Sequence, residues 1–397
     1  MLIAISRPGQ AETRTSTAGS PQPAVIEVTR NLNVYADPTT SPRIMRGVVA
    51  RGARFRVYER TKAKGCKKGW LRIDQRAWIC ARSTRPTTKS PTSRPSPDQR
   101  GNAYLPYSYI VTSDAPAYKS LDEAVLGDED DSEIIGGTGG FVRQRIAKRG
   151  DKRFYKTPRG WVASSDVKRV RPIGFKGVVL TNADRGKRLA FAVRQRARLY
   201  DVNGRRISKA GPLRRSYLGE IGEPILRRGM TLHSIGDGQF VRARDIGQIQ
   251  WPESPDNVGQ DERWLDVSLS QQILVAYEGK HPVLATLVST GSIGHSTPRG
   301  VYQIEKKRTT GRLRSLPGSE RQWDVHVPWV ITLKGRIAMH PAYWHREFGR
   351  RYSAGCINLT PQDAKWVWDF AEPGLPAGWL RIHSDAESPG TTIRVRR

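Results

Sequence analysis

Apolar and polar positions alternate in short runs near the start of the chain: Leu32-Asn-Val34-Tyr35, Phe55-Arg-Val57-Tyr58, Gly69-Trp70-Leu-Arg-Ile73 and Ala77-Trp78-Ile79-Cys80. A two-residue period turns one face of a strand into a core and the other into water. Gly, Pro and Asp separate the runs, so residues 27–86 are expected to form a small β-barrel. Two later segments end as this one does. Trp161-Val162 leads to Asp166-Val167, and Phe240-Val241 leads to Asp245-Ile246, each an aromatic-led strand, a few polar residues and an exit. This degenerate repeat predicts two further small β modules, at 102–172 and 173–250. Residues 1–26, rich in Thr, Ser, Pro and Gly, are expected to be disordered, and the Pro/Ser/Thr/Arg run at 87–101 to be an extended linker.

From Glu262 the runs lengthen. Trp264-Leu-Asp-Val267-Ser-Leu269, Ile273-Leu-Val275-Ala-Tyr277 and Val283-Leu-Ala-Thr-Leu287-Val288 alternate or stay apolar throughout, which predicts a β-sandwich over 262–397. One helix is expected there. Thr360 can cap it, Pro361 suits its first turn and Asp363 its N-terminal dipole. Ala364, Val367, Trp368 and Ala371 make a buried stripe, and Pro373 ends it. The fold class is therefore mostly β: a C-terminal sandwich with one helix, preceded by small barrel modules.

Composition adds a large charge. Against 37 acidic residues stand 67 basic ones, a formal net charge of +30. That surplus attracts polyanions: nucleic acid, acidic wall polymers or anionic membrane surfaces. Nucleic acid is the weakest of these, since no zinc-finger spacing, RNP-type aromatic run or basic amphipathic helix is present and Lys and Arg are spread over the whole chain. No stretch is apolar enough to span a membrane. The start, Met1-Leu-Ile-Ala-Ile-Ser, lacks the basic and longer apolar regions of a signal peptide, so an export signal is not visible.

Cysteine usage is sparse. Cys66 and Cys80 lie close together in strand-forming sequence, where a short-loop disulfide is the natural pairing and would imply an oxidising compartment. The alternative is two reduced, partly buried thiols. Cys356 is left over, in Ser353-Ala354-Gly355-Cys356-Ile-Asn358, with His340 upstream at the end of an apolar strand. A thiol is only slightly ionised at neutral pH and needs a base or a positive field, which His340 could supply. Gly355 lets the backbone turn and leave amides free for an oxyanion. The remaining histidines show no metal-ligand spacing; no metal or cofactor is expected. His326 reads as a packed core histidine, and His233, His281, His295 and His383 as turn or surface residues.

Three regions of the last domain resemble the L,D-transpeptidase (YkuD) catalytic domain: Asp266-Val267-Ser-Leu269-Ser-Gln271-Gln272 with Ala276-Tyr277-Glu278-Gly279; Val288-Ser289-Thr290-Gly291 with Thr297-Pro298-Arg-Gly300; and His340 with Ser353-Ala-Gly355-Cys356-Ile-Asn358-Leu359. The resemblance implies peptidoglycan stem peptides as substrate and a cell-envelope location. Cys356 would be the nucleophile, His340 the base, and Ser353, Ala354, Gly355 and Asn358 the oxyanion and substrate-binding set. The sequence departs from the family's pattern at two places: Ala354 stands where a histidine is usual, and Pro341 where the upstream histidine is usually followed by glycine. Residues 27–86 resemble bacterial SH3-like domains through Asn33-Val34-Tyr35, Asp37-Pro38, Gly52, Gly69-Trp70 and Trp78-Ile79. Two other functions stay open: a non-catalytic wall-binding protein, and an L,D-carboxypeptidase with water as acceptor. For the transpeptidase, the positive charge favours anionic wall polymers.

Overall fold

The structure, a computed structural model, describes residues 24–93, 105–208, 211–315, 318 and 322–397. Residues 1–23 of the expected disordered N-terminus and 94–101 of the expected linker lie outside these. The molecule is mostly β with few helices, as the alternation predicts.

The C-terminal part is two facing layers. One sheet has the strand order Val178–Val179, His281–Leu287, Ile273–Glu278, Arg263–Ser268, Thr392–Arg396 and Gly300–Gln303. Facing it is the long strand Trp323–Lys334, flanked by Lys306–Arg314 and Ile337–Pro341. Val267, Leu274, Val288, Val325, Val327, Ile331, Met339, Ile357 and Val395 fill the space between the layers, and all are buried. Pro328 and Trp329, the latter at φ +52°, interrupt the alternation of the long strand without shifting its register.

The helix Pro361–Phe370 closes one end of this core. Thr360 accepts the Asp363 amide at 3.2 Å, and Ala364, Val367, Trp368 and Ala371 are buried as the stripe predicts. Asp363 does more than favour the dipole: its carboxylate accepts from the hydroxyls of Thr286 (2.6 Å) and Thr360 (2.8 Å) and from the Gly177 amide (2.9 Å). At the other end, the buried Lys307 ammonium caps the helix by donating to the Trp368 and Ala371 carbonyls at 2.7 and 2.6 Å.

The N-terminal segments share a unit. Ala77–Cys80, Gly160–Ala163 and Phe240–Arg242 each run into a three-residue 3-10 turn and then a short exit strand, Thr84–Thr87, Val167–Arg169 and Ile246–Gln248. Each exit strand pairs antiparallel with an earlier strand of its own segment: Val25–Val28, Tyr109–Tyr118 and Leu189–Ala192. Cys66 and Cys80 form a disulfide beside Trp70 and Trp78. A short helix, Leu121–Leu126, opens with a Ser120/Glu123 capping box. His233 is buried, with Nδ1 2.9 Å from the Gly222 carbonyl, and is not the surface residue its sequence neighbourhood suggests.

Two of these segments are joined to the sandwich by strand pairing. Gly47–Val49 runs antiparallel to Trp379–Ile382, and Thr138–Gly140 runs parallel to Trp323–Val325. Gly47 permits the first junction, because a Cβ there would lie 2.1 Å from the Arg381 carbonyl oxygen.

Candidate functional site

Strands Ile337–Pro341 and Ile357–Leu359 run parallel, with Met339 beside Ile357 and His340 beside Asn358. Both are buried in the sandwich, so the chain reaches the surface where the second strand begins. Cys356 sits there, in the bend that precedes this strand and two residues before Asn358. Its Sγ lies 3.7 Å from the Arg336 carbonyl.

His340 is 3% exposed, and its Nδ1 lies 3.0 Å from the Pro341 carbonyl. A carbonyl only accepts, so Nδ1 carries the proton and Nε2 keeps its lone pair. Burial lowers the His340 pKa to about 4; the Pro341 hydrogen bond opposes that shift and the Arg308 charge adds to it. The ring also stacks on Trp344, 5.9 Å between centroids. At neutral pH His340 is a neutral imidazole with one basic nitrogen. Burial pushes the Cys356 thiol up from its ordinary range, opposed by a backbone hydrogen bond from Ala338 and by the Arg336 charge. The resting pair is thiol and imidazole, not thiolate and imidazolium.

The turn before Cys356 is held from several sides. Gly355 has φ +109°, a conformation that a side chain would strain. Ser353 Oγ donates to the Cys356 carbonyl at 2.5 Å and accepts the Gly355 amide at 3.2 Å. Thr297 Oγ1 donates to the Gly355 carbonyl and accepts the Gly291 amide, both at 2.9 Å. The Thr290 carbonyl receives the amides of Tyr352 (2.9 Å) and Ser353 (3.0 Å). Thr290 is itself held by the buried Gln272, whose Oε1 accepts the Thr290 amide at 2.9 Å and whose Nε2 donates to Thr290 Oγ1 at 2.6 Å. Gln272 and Thr297 occur in the sequence motifs, but nothing there shows that both act on the thiol turn. Ala354 is exposed at the rim.

His345 is engaged through both ring nitrogens. Its Nδ1 accepts the Glu347 amide at 3.1 Å, so the ring proton is on Nε2, 2.9 Å from the Asn358 side-chain amide. Nε2–H needs an acceptor, and Asn358 Oδ1 is buried without one when Nδ2 faces the ring. Turning the amide by half a rotation satisfies both, so the chemistry assigns Oδ1 to the His345 side. Burial lowers the His345 pKa to about 3, with smaller contributions from His340 and Arg215. Asn358 therefore ties the His340 ladder to the loop that carries His345. His326 is half-buried, and its carbonyl accepts the Tyr343 hydroxyl at 2.6 Å, as befits a packing residue.

Among the described residues, no three His, Cys, Asp or Glu side chains are grouped to hold a metal ion, and no helix is long and apolar enough to cross a membrane. What remains is a β-sandwich with a neutral imidazole on one of two parallel strands and a cysteine just before the other. Residues 262–394 match the family model of the L,D-transpeptidase catalytic domain, YkuD.

The chain is 27% identical over 157 residues to the Bacillus subtilis (strain 168) protein YciB, whose name carries the same L,D-transpeptidase designation; the match covers 35% of this chain and 77% of that protein. Among solved structures, a mutant L,D-transpeptidase of Enterococcus faecium is 21% identical with a TM-score of 0.28, over 34% of this chain and 50% of that one. The present chain thus spans about half the length of that structure. An L,D-transpeptidase from Mycobacterium smegmatis is 14% identical with a TM-score of 0.29, over 64% of this chain and 99% of that one. The chain carries an L,D-transpeptidase catalytic domain, and that statement rests on the match over 262–394.

Proposed function

We propose that this protein is a peptidoglycan L,D-transpeptidase of the cell envelope, with Cys356 as nucleophile and His340 as general base. The observation that carries the reading is the His340 tautomer. With Nδ1 committed to the Pro341 carbonyl, Nε2 is free to take the thiol proton as the sulfur attacks. Sγ adds to the carbonyl carbon between the third and fourth residues of a stem peptide, and the carbonyl π pair moves onto oxygen. The Gly355 amide is engaged by Ser353, so the Cys356 amide is the donor we assign to that oxyanion. The tetrahedral adduct collapses with cleavage of the C–N bond. The proton held on Nε2 passes to the departing D-amino acid, leaving a thioester. An amine on a neighbouring stem then attacks the thioester, restores the thiol and forms the cross-link.

Because the resting pair is neutral, proton transfer accompanies attack, and iodoacetamide should alkylate Cys356 slowly at neutral pH. The three repeated units are read as β modules at 27–86, 102–172 and 173–250, the first of SH3-like type, that keep the enzyme on the wall.

The test is covalent capture. A carbapenem should add its mass to the protein once, at Cys356, and the protein without carbapenem should release a D-amino acid from tetrapeptide stems. Cys356→Ala should abolish both, and His340→Ala should slow both by at least about a hundredfold. Full activity in both variants would sink the assignment. The exposed Ala354 favours one second reading, a transpeptidase fold kept only as a wall-binding module. Wall binding by a wild-type protein that forms no adduct would select it. A carboxypeptidase differs only in its acceptor and would yield shortened stems without cross-linked dimers.

A further inference from the structure

A cavity of about 350 Å³ opens between the segment ending at Gln250 and the loop that runs from His345 to Ser353. Arg194, Gln195, Arg196, Arg215, Glu347 and Arg350 line it. Four guanidinium groups thus share the cavity with one carboxylate. Two of them have acidic partners: Arg194 Nε lies 2.6 Å from Asp245 Oδ1, and Arg350 Nη1 lies 3.3 Å from Glu347 Oε2. Arg215 is held otherwise. It donates to the Val193 carbonyl through Nε (3.3 Å) and Nη2 (3.1 Å), and to the Arg346 carbonyl through Nη1. Those dipoles fix the planar group without neutralising it. Arg215 is half-buried, and desolvation lowers its pKa from the usual guanidinium range, opposed by Glu347 and reinforced by Arg350. Arg196 is exposed and has no ion pair among the described residues.

A run of surface arginines is ordinarily a solvated face. This cluster differs in being concave, drawn from distant parts of the chain, and centred on a guanidinium whose orientation is set before any ligand arrives. It is also coupled to the thiol ladder. The Arg350 carbonyl accepts from Ser289 Oγ at 2.8 Å, and the Ser289 amide donates to the Asn358 carbonyl at 2.9 Å.

We propose that this pocket binds an oxyanion carried by the wall polymer, a phosphodiester or a carboxylate, and so holds the polymer beside Cys356. A guanidinium fixed by backbone carbonyls, with N–H groups left over and a second, unpaired guanidinium near it, matches such a group in charge. The cavity is of a size to admit a charged group with one adjoining residue of a polymer. The proposal rests on the wall as substrate, but its test does not depend on turnover.

The experiment measures binding of the full chain to insoluble wall, either untreated or stripped of phosphodiester polymers with hydrofluoric acid. Arg196→Glu should weaken binding by about tenfold or more at low salt, and Arg196→Gln by about threefold. Arg149→Glu, an equal charge change outside the pocket, should cost less than about twofold. Millimolar inorganic phosphate should compete with the wild type and leave Arg196→Glu unaffected. A loss confined to untreated wall identifies a phosphodiester, and a loss on both preparations identifies a carboxylate; either supports the site. Unchanged binding by Arg196→Glu, or an equal loss in Arg149→Glu, overturns it. Carbapenem acylation of Arg149→Glu, read in parallel, should proceed at the wild-type rate. A wild type that is not acylated counts against the transpeptidase reading alone, so the two failures remain distinct.

Discussion

The three repeated units and the thiol turn each lead through a turn into a short strand, yet they hold their turns by different means. In the first and third repeats the turn closes on its own backbone: the Thr84 amide donates to the Ala81 carbonyl and the Ile246 amide to the Ala243 carbonyl. Ser353 offers the thiol turn a similar local brace, but Thr297 and the Gln272–Thr290 pair reach it from strands and loops far away in the sequence. A turn closed by backbone tolerates many side chains. One closed by distant side chains is only as well placed as the sandwich that carries them. Module turns can therefore take many side chains, whereas the thiol turn depends on particular side chains distant in the sequence.

That contrast should break most visibly at Gln272. In Gln272→Leu the Thr290 amide loses a buried partner and Leu269 loses the donor to its carbonyl, a cost of roughly 2–3 kcal/mol. Carbapenem acylation should slow by about a hundredfold, because the Thr290 carbonyl would no longer fix the Tyr352 and Ser353 amides. Acylation at the wild-type rate in a protein of lower melting temperature would show that Gln272 is only a folding residue.

Thr297→Val keeps the shape and removes the hydroxyl between Gly291 and Gly355. It should cost about 1–2 kcal/mol of stability and about tenfold in acylation rate, read by thermal melts and by adduct kinetics.

Acidification probes the ladder from within. The folded pKa of His340, about 4, lies below its unfolded value of about 6.5, so the unfolded chain binds more protons between those limits. The neutral ring's contribution is complete above pH 6.5 and is lost as pH falls toward 4. By pH 5, His340 alone should cost about 2 kcal/mol, and His345, also lowered, adds in the same direction. Urea midpoints at pH 7.5 and 5 measure the loss, which His340→Gln should reduce. A flat profile would mean that both rings titrate as exposed groups.

The smallest effect at the site should come from Cys66→Ser with Cys80→Ser. Opening this short loop should destabilise the N-terminal unit by about 3 kcal/mol and leave the acylation rate unchanged. A slower rate would show that the unit's own stability feeds into the thiol turn.

The same difference explains what the sequence disclosed. Strand 32–35 and strand 77–80 coincide with their alternating runs, and the helix after Cys356 begins and ends at the caps that Thr360 and Pro373 foretell. These features are local, so composition and period suffice. The long strand Trp323–Lys334 escaped because Pro328 and the left-handed Trp329 mask its alternation. The helix at Leu121–Leu126 carried a readable Ser120-to-Glu123 signal but is too short for an apolar period. His340 and Cys356 stood out as residue types in a spaced motif. The half-turned Asn358 amide, the Pro341 carbonyl as partner of Nδ1, and the reach of Gln272 are consequences of register, which the linear chain does not display.

The strand pairings at Gly47–Val49 and Thr138–Gly140 carry the hydrogen-bonded sheet from the N-terminal segments into the sandwich. An appended module on a flexible tether would search a volume. Modules knitted into the same sheet cannot, and their offset from the sulfur is a fixed length.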